Sequence, residues 1–264
     1  MNVPWSFKSN LKVFSAALVF LGAVIFLRST TGMSSAPHAG PSAHRAVLVE
    51  LFTSEGCSSC PPADALLGTL RQDLAKQGFD VIPLGLHVDY WNSLGWKDRF
   101  SSAEFSRRQE EYARALHLDG PYTPQMVVDG TTEFVGSERQ RAQAVISESA
   151  THTAGASIEA SFTAPDKLTL KVASAGNGAA VMLAITEDNL STRVGAGENN
   201  GRELRHAAVV RELRRLGVIQ NGNFAATVPL VLEKEWKRSD LRAVIFVQQG
   251  VAGPVLDTAS IALH

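Results

Sequence analysis

Residues 50–64 read ELFTSEGCSSCPPAD and contain Cys57 and Cys60, the only two cysteines in the 264-residue chain. The apolar run AVLVELFT (46–53) before them is typical of a buried β-strand, and PADALLGTLRQDLAKQG after them carries leucines at helical spacing. The start of a helix presents unpaired N–H groups and a partial positive charge, which favour a thiolate over a thiol. The two prolines after the motif fit the first helical turn, where proline removes no intrahelical hydrogen bond. The spacing therefore predicts a redox pair, with Cys57 as the attacking thiol and Cys60 as the resolving thiol.

Two other roles for the cysteine pair stay open from the sequence. One is a structural staple, but a loop this short gives little entropic stabilisation, and a chain of this size folds without one. The other is a site for a thiophilic ion such as Cu(I), with His87 as a third ligand beside the two thiolates. The redox interpretation is favoured over the staple, and the staple over the metal site.

The rest of the chain divides into two patterns. FDVIPLGLHV (79–88) predicts a second strand, residues 101–118 a second helix, and PQMVVDGTTEFVG (124–136) a hairpin, because it contains Asp-Gly between two β-type runs. A third helix is expected before Ala150. Beyond it, short β-type runs separated by turn residues are typical of a sandwich. Residues 203–216 fit either a helix or a strand, and their surroundings favour strand.

The order β-α-β-α-β-β-α, the Cys-X-X-Cys motif before the first helix and the segment YTPQMVVDG resemble the thioredoxin superfamily. This resemblance implies a cis-proline that packs against the disulfide, at Pro124 after Thr123. It also implies a buried acid on the first strand that manages the proton of the resolving cysteine. Glu50 is the acid of that strand, although it lies one residue farther from Cys57 than the superfamily pattern places it.

A second resemblance spans nearly all of the chain after residue 43. It is carried by ELFTSEGCSSCPPAD, HVDYWNSLGWKDRF, YTPQMVVDG and NNGRELRHAAVVREL, and it is to a family of secreted bacterial proteins, domain of unknown function 1223. That family is described as thioredoxin-like, and the resemblance implies no substrate. We therefore expect an α/β thioredoxin-like domain with a mixed sheet over residues 44–152, followed by an all-β sandwich-like accessory domain over residues 155–264.

The long loop after the second strand holds the other candidate residues. The carboxyl ends of parallel strands meet at one edge of a sheet, so this loop should lie beside the cysteines. Tyr90, Trp91 and Trp96 would then form a substrate platform together with Thr123, or else only pack the loop. His87 would be a proton carrier or metal ligand, or a histidine whose hydrogen bonds are satisfied at the end of a strand.

The N-terminal 43 residues do not resemble a folded domain. Two lysines precede the apolar run Val13–Leu27, a pattern typical of a secretory signal peptide or a signal-anchor, followed by a small-residue linker. We expect an exported protein, periplasmic or secreted, with a membrane tether if this segment is retained. The net charge of −1 gives no reason to expect nucleic acid as a partner. No cofactor is expected.

These observations together predict an exported thiol–disulfide oxidoreductase that acts on protein or small thiols through Cys57 and Cys60. Two alternatives remain. One is a non-enzymatic thioredoxin-like binding module, and the other is a metal-handling protein that binds a Cu(I)-type ion with the two cysteines.

Overall fold

A mixed eight-stranded β-sheet organises the protein, which we describe from a computed structural model covering residues 44–263. The predicted signal or anchor over residues 1–43 lies outside the described residues. The helices are α1 (Pro61–Ala75), α2 (Ala103–Ala115) and α3 (Arg139–Ala150), with a short 3-10 turn at Arg238–Asp240. The strands are β1 (Val47–Thr53), β2 (Val81–His87), β3 (Gln125–Val128), β4 (Thr132–Val135), β5 (Ser157–Ala164), β6 (Lys167–Ala173), β7 (Ala180–Glu187), β8 (Leu190–Arg193), β9 (Glu203–His206), β10 (Val209–Val218), β11 (Phe224–Pro229), β12 (Leu241–Gln248) and β13 (Val255–Ala262).

The large sheet has the strand order β13-β12-β7-β10-β2-β1-β3-β4. Strand β1 lies parallel to β2 and antiparallel to β3, and all seven of its residues are buried. Its apolar side chains alternate between the two faces of the sheet. Leu48 and Phe52 join the core on the α2 side, whereas Val49 and Leu51 join the core against α1 and α3. A strand that is apolar on both faces therefore becomes the centre of a covered sheet.

The prediction of a thioredoxin-like domain followed by a separate all-β sandwich is wrong. The elements of residues 47–150 do run in the order β-α-β-α-β-β-α, but the sheet does not end at β2. Strand β10 lies parallel to β2 through the pairing of Val209 with Gly85, and the Gly85 N–H donates to the Ala208 carbonyl at 2.7 Å. Strands β7, β12 and β13 then extend the same sheet, so both halves of the chain form one body of structure.

The physical reason for this correction is the free edge of β2. An unpaired strand edge is a template for another strand, and Gly85 lets β10 approach closely, since an added Cβ would lie 3.1 Å from the Ala207 carbonyl oxygen. The three-stranded sheet β11-β6-β5 does not form a second independent core. Its apolar residues pack on one face of β7 and β12, in a cluster that includes Leu168, Leu170, Leu183 and Ile245.

One local prediction for the second half agrees with the structure. The ambiguous segment 203–216 is β-strand, divided between β9 and β10. Strands β8 and β9 form a separate two-stranded hairpin that is not part of the large sheet. None of the three α-helices within residues 44–263 has both the length and the apolar character that a membrane crossing needs.

Candidate functional site

Cys57 and Cys60 form a disulfide between the end of β1 and the start of α1. Cys60 is the N-cap residue of α1, and its carbonyl accepts from the backbone N–H groups of Ala63 and Asp64 at 2.8 and 3.1 Å. The two prolines occupy the first two helical positions, where they cost no hydrogen bond. Both cysteines are fully buried, with 0% exposure. The sequence therefore places the disulfide at the positive end of a helix, but away from solvent.

The loop that carries the cysteines, residues 54–60, has a defined turn. The Cys57 N–H donates to the Ser54 carbonyl at 3.2 Å, and the Gly56 N–H donates to Ser54 Oγ at 3.1 Å. Gly56 lies where the cysteine loop packs against Trp91. A Cβ added to Gly56 would lie 3.2 Å from Trp91 Cβ. This close approach fixes the cysteine loop against the loop that follows β2.

The loops after β1 and β2 meet at one edge of the sheet, because Thr53 and His87 are paired in register. The Glu55 N–H donates to Asp98 Oδ2 at 2.9 Å, and Trp96 Nε1 donates to Glu55 Oε2 at 2.8 Å. The partly buried Trp96 thus holds the residues just before the cysteines.

The other predicted platform residues have different surroundings. Trp91 is partly buried, and its Nε1 donates to Thr123 Oγ1 at 2.9 Å. Tyr90 is 40% exposed and donates through its hydroxyl to Gln109 Oε1 at 3.1 Å. Tyr90 is therefore the most accessible of the three aromatic residues.

Pro124 lies near the start of α1. The Thr123–Pro124 peptide bond is cis. A Cβ added to Gly136 would lie 3.2 Å from Ala63 Cβ and 3.4 Å from Pro124 Cβ, so Pro124 and the first turn of α1 converge on this glycine. The predicted proline and the cysteine-bearing helix are thus brought together.

Glu50 belongs to a buried network that reaches the second half of the chain. Arg108 donates from Nε to Glu50 Oε1 at 2.6 Å and from a terminal nitrogen to Oε2 at 2.9 Å, and the Tyr112 hydroxyl also donates to Oε2. The same Arg108 nitrogen donates to Gln248 Oε1 at 3.1 Å. Glu50 therefore forms an ion pair that ties β1 to α2 and β12.

A buried cluster of acids and histidines lies beside the cysteine loop, and it consists of Glu55, Asp64, His87, Asp98 and His206. His87 Nδ1 lies 2.7 Å from Asp98 Oδ2, and His206 Nε2 lies 3.2 Å from Glu55 Oε1. The two imidazole rings are 5.0 Å apart. Asp64 stands one helical turn after Cys60, so the cluster extends to the helix that bears the disulfide.

Burial and charge act in opposite directions on the pKa values in this cluster. Burial by itself lowers the pKa of His87, but the Asp98 carboxylate, with smaller contributions from Asp64 and Glu55, outweighs it and raises the pKa above 6.5. Burial would raise the pKa of Asp98, but the charge and hydrogen bond of His87 hold it below 3.8. Burial raises the pKa of Asp64. In this pair each partner therefore favours the charged form of the other.

The second half of the chain contacts the cysteine loop through residues 194–202, which we call the cover loop. The buried Asn199 donates from Nδ2 to the carbonyl oxygens of Glu55 and Cys57, both at 2.9 Å. The Ser58 N–H donates to Glu198 Oε2 at 2.9 Å. Thus the disulfide loop is bonded to residues about 140 positions away in sequence.

The structure does not assemble the three-ligand metal site of the alternative interpretation. Within residues 44–263, no group of three or more histidine, cysteine, aspartate or glutamate residues is arranged to hold a metal ion. The two cysteines are bonded to each other, and His87 contacts Asp98.

Comparison with known families gives a clear assignment. The sequence profile described as "Protein of unknown function (DUF1223)" matches residues 48–248. The chain belongs to this family. The membership predicted from sequence is confirmed. The profile spans both halves of the chain, from β1 to β12, as does the eight-stranded sheet of this DUF1223 protein.

The chain also resembles solved structures. The DUF1223 protein is similar to a crystal structure of a protein from Agrobacterium tumefaciens, with 28% identity, coverage of 83% of this chain and 94% of that chain, and a TM-score of 0.64. A domain of the outer membrane lipoprotein Omp28 from Porphyromonas gingivalis matches at 14% identity, covering 43% of this chain and 91% of that chain, with a TM-score of 0.24. A search among curated proteins returns no match to the chain.

Sequence reasoning missed the residues that surround the disulfide in this DUF1223 protein. Asp64 had a usable signal, because an acid four residues after Cys60 falls on the buried face of α1. His206 stands in a segment without a recognisable motif, so its sequence gives no signal of the cluster. Glu198 and Asn199 directly follow the segment GAG (195–197). An added Cβ at Gly197 would lie 3.2 Å from Trp96 Cβ, which explains why a glycine stands there.

Proposed function

We propose that the Cys57–Cys60 pair performs thiol–disulfide exchange with protein thiols or disulfides. The observation that carries this proposal is the disulfide itself, formed across two intervening residues at the N-cap of α1. The positive end of a helix favours the thiolate that exchange needs. The short spacing lets the second cysteine resolve a mixed disulfide formed by the first.

A purely structural role is weakly supported. In the chain-entropy model, closing a loop of about four residues is worth only about 2 kcal/mol, against about 3 for a 15-residue loop. Neither cysteine belongs to the apolar clusters that pack on the two faces of the large sheet. Exchange chemistry gives a reason for the cysteines that stability alone does not.

The exchange reaction balances with a client dithiol as the reductant. A client thiolate attacks Cys57 Sγ, a new S–S bond forms, the Cys57–Cys60 bond breaks, and Cys60 leaves as a thiolate that takes up a proton. The second client thiolate then attacks the client sulfur of the mixed disulfide. Cys57 leaves as a thiolate, and the client disulfide is formed. The client is oxidised by two electrons and the cysteine pair is reduced by two. The reverse sequence reduces a client disulfide.

The residues near the disulfide have distinct roles in this proposal. The buried Pro124 packs beside the first turn of α1, and Thr123 holds Trp91 through its hydroxyl. Trp96 supports the cysteine loop through Glu55. Tyr90, the most exposed of the aromatic residues, would contact the client directly.

The proposed site of action is an exported, oxidising compartment, where disulfides persist. The basic and apolar N-terminal sequence supports export, with a membrane tether if it is retained.

The test is turnover of a peptide dithiol by the full chain, with glutathione disulfide as the terminal oxidant. The wild type should oxidise the peptide faster than buffer alone, and Cys57→Ser should abolish the rate. In the reverse direction, reduced Cys60→Ser mixed with the disulfide form of the peptide should accumulate a mixed disulfide through Cys57, because no second cysteine resolves the new bond. Cys57→Ser/Cys60→Ser is the matched control for trapping. A wild type that gives only the buffer rate would refute exchange and favour a non-enzymatic binding module.

A further inference from the structure

The cover loop bonds to main-chain groups of the cysteine loop, not to its side chains. Asn199 supplies two donors for the carbonyls of Glu55 and Cys57, and Glu198 supplies an acceptor for the Ser58 N–H. Asn199 is held in place by Arg202, which donates to its Oδ1 at 2.7 Å. The main-chain groups beside the disulfide are therefore already occupied.

The chemistry of these two side chains matches that of a polypeptide backbone. The Asn199 side chain ends in a carboxamide, the same group as a peptide bond, and the Glu198 carboxylate accepts as a peptide carbonyl does. The two carbonyls and the one N–H that they contact, within residues 55–58, are main-chain groups to which a peptide backbone can also hydrogen-bond. Glu198 and Asn199 thus stand where a client backbone would bind.

Burial of the disulfide makes this contact relevant to the chemistry. Exchange requires a thiolate to reach a disulfide sulfur, and both cysteines have 0% exposure. A thiolate therefore cannot approach either cysteine in the conformation described. Some part of the surrounding structure must move before any exchange occurs.

The cover loop is suited to move as a unit. Its base is closed by its own hydrogen bonds, from the Val194 N–H to the Arg202 carbonyl and from the Gly201 N–H to the Val194 carbonyl, both at 2.9 Å. It connects β8 and β9, which form a hairpin outside the large sheet. Displacing the loop breaks no hydrogen bond of the eight-stranded sheet.

We propose that the cover loop shields the disulfide by occupying the client's hydrogen-bonding groups, and that the client is an extended protein segment whose backbone replaces Glu198 and Asn199. This inference rests on the proposed exchange function and specifies its substrate class. Asn199 is a positioning residue, since it acts through the carbonyls of the cysteine loop. A small thiol, which lacks a backbone, would gain nothing from displacing it.

The first experiment measures how fast dithiothreitol reduces the disulfide in the full chain and in a disulfide-bonded peptide of residues 54–62. The folded chain should react at least about 100-fold more slowly, because only an open form reacts. Asn199→Ala should react about 30-fold faster than the wild type, the factor that two hydrogen bonds of ordinary net strength are worth. Asn200→Ala is the matched control, because Asn200 is the exposed neighbour, and its rate should equal that of the wild type.

Asn199→Asp provides a second variant of nearly the same shape, which keeps the test decisive if the alanine variant fails to fold. Its carboxylate cannot donate to the two carbonyls, so it should also react faster than the wild type. Equal rates for the wild type, Asn199→Ala and Asn199→Asp would overturn the shielding role. A wild-type rate close to that of the free peptide would overturn it as well.

The second experiment compares an extended peptide dithiol with dithiothreitol as reductant of the folded chain. For the folded chain, the rate with the peptide dithiol is divided by the rate with dithiothreitol, and the result is divided by the same ratio for the free 54–62 peptide. The final value should exceed about 10 if the client backbone gains hydrogen bonds of ordinary net strength. A ratio near one would overturn the substrate class. A different result would count against the exchange function. In that result neither the wild type nor Asn199→Ala turns over the peptide, although dithiothreitol still reduces Asn199→Ala faster than the wild type.

Discussion

Replacement of Arg108 by methionine tests whether the two halves of the chain form one cooperative structure. Arg108 and Glu50 have side-chain exposures of 6% and 0%, and their bidentate ion pair is linked to Gln248 in β12. Arg108→Met leaves the Glu50 carboxylate buried with only the Tyr112 hydroxyl as a donor. Removing one partner of a buried ion pair costs about 3–5 kcal/mol, because the remaining charge is not compensated.

The assay is urea unfolding at pH 7, followed by far-UV circular dichroism and by tryptophan fluorescence. The wild type should unfold in one transition with coincident curves, and Arg108→Met should lose about 3–5 kcal/mol of unfolding free energy. Arg107→Met, at the exposed neighbouring position, should change stability by no more than about 0.5 kcal/mol. Glu50→Met/Arg108→Met should be less destabilised than Arg108→Met alone, because it leaves no buried charge unpaired.

Two results would refute this reasoning. A loss below about 1 kcal/mol in Arg108→Met would mean that the Glu50 carboxylate finds water or another donor, contrary to its burial. Two separate transitions in the wild type would mean that the halves of the chain unfold independently, which the shared eight-stranded sheet does not allow.

Three further predictions follow from the disulfide, the buried histidine and the contact between β2 and β10. Cys57→Ser/Cys60→Ser should lower the unfolding free energy by about 2 kcal/mol or less, measured by urea unfolding, because the closed loop is short. The stability contributed by the charged pair of His87 and Asp98 is present below pH 6.5 and is lost as the pH rises through the raised pKa of His87, so the urea midpoint should decrease as the pH is raised above 6.5. Gly85→Ala should destabilise the protein by about 1–3 kcal/mol, measured as a lower urea midpoint, because the added methyl group meets the carbonyl oxygens of Ala207 and Ala208 just before β10.

Each of these predictions has a control. A loss well above 2 kcal/mol in the double serine variant would indicate a structural staple. His87→Gln should flatten the fall in midpoint above pH 6.5, and an unchanged profile would assign it to another group. Gly176→Ala is the match for Gly85→Ala, because an added Cβ there meets nothing within 4 Å. If the two alanine substitutions lowered the urea midpoint equally, the close approach of β10 to Gly85 would not be the cause of the destabilisation.

The local elements could be inferred from sequence because their signals are local. The apolar run before Cys57, the leucine spacing of α1 and the Asp-Gly turn between β3 and β4 each lie within a short window. The sheet could not be inferred, because apolar residues on both faces of β2 do not indicate which strand pairs with its free edge. The pairing of Val209 with Gly85 joins residues more than a hundred positions apart.

The same distinction holds for the candidate site. The spacing of Cys57 and Cys60 indicated a disulfide directly, and the edge where β1 and β2 end explains why the loop with Trp91 and Trp96 lies against the cysteine loop. Asn199 carries no such signal, since an asparagine in a glycine-containing segment is typical of any turn. Its importance depends on a contact with residues more than 140 positions earlier, which only the folded structure places together.

The most direct test of the account is the reduction potential of the Cys57–Cys60 pair in the folded chain, measured by equilibration in glutathione buffers and thiol alkylation. Thiol–disulfide exchange predicts a value between about −120 and −270 mV, within the range of known exchange proteins. A value below about −300 mV, or a disulfide that is reduced only when the protein unfolds, would contradict the account and identify the pair as structural.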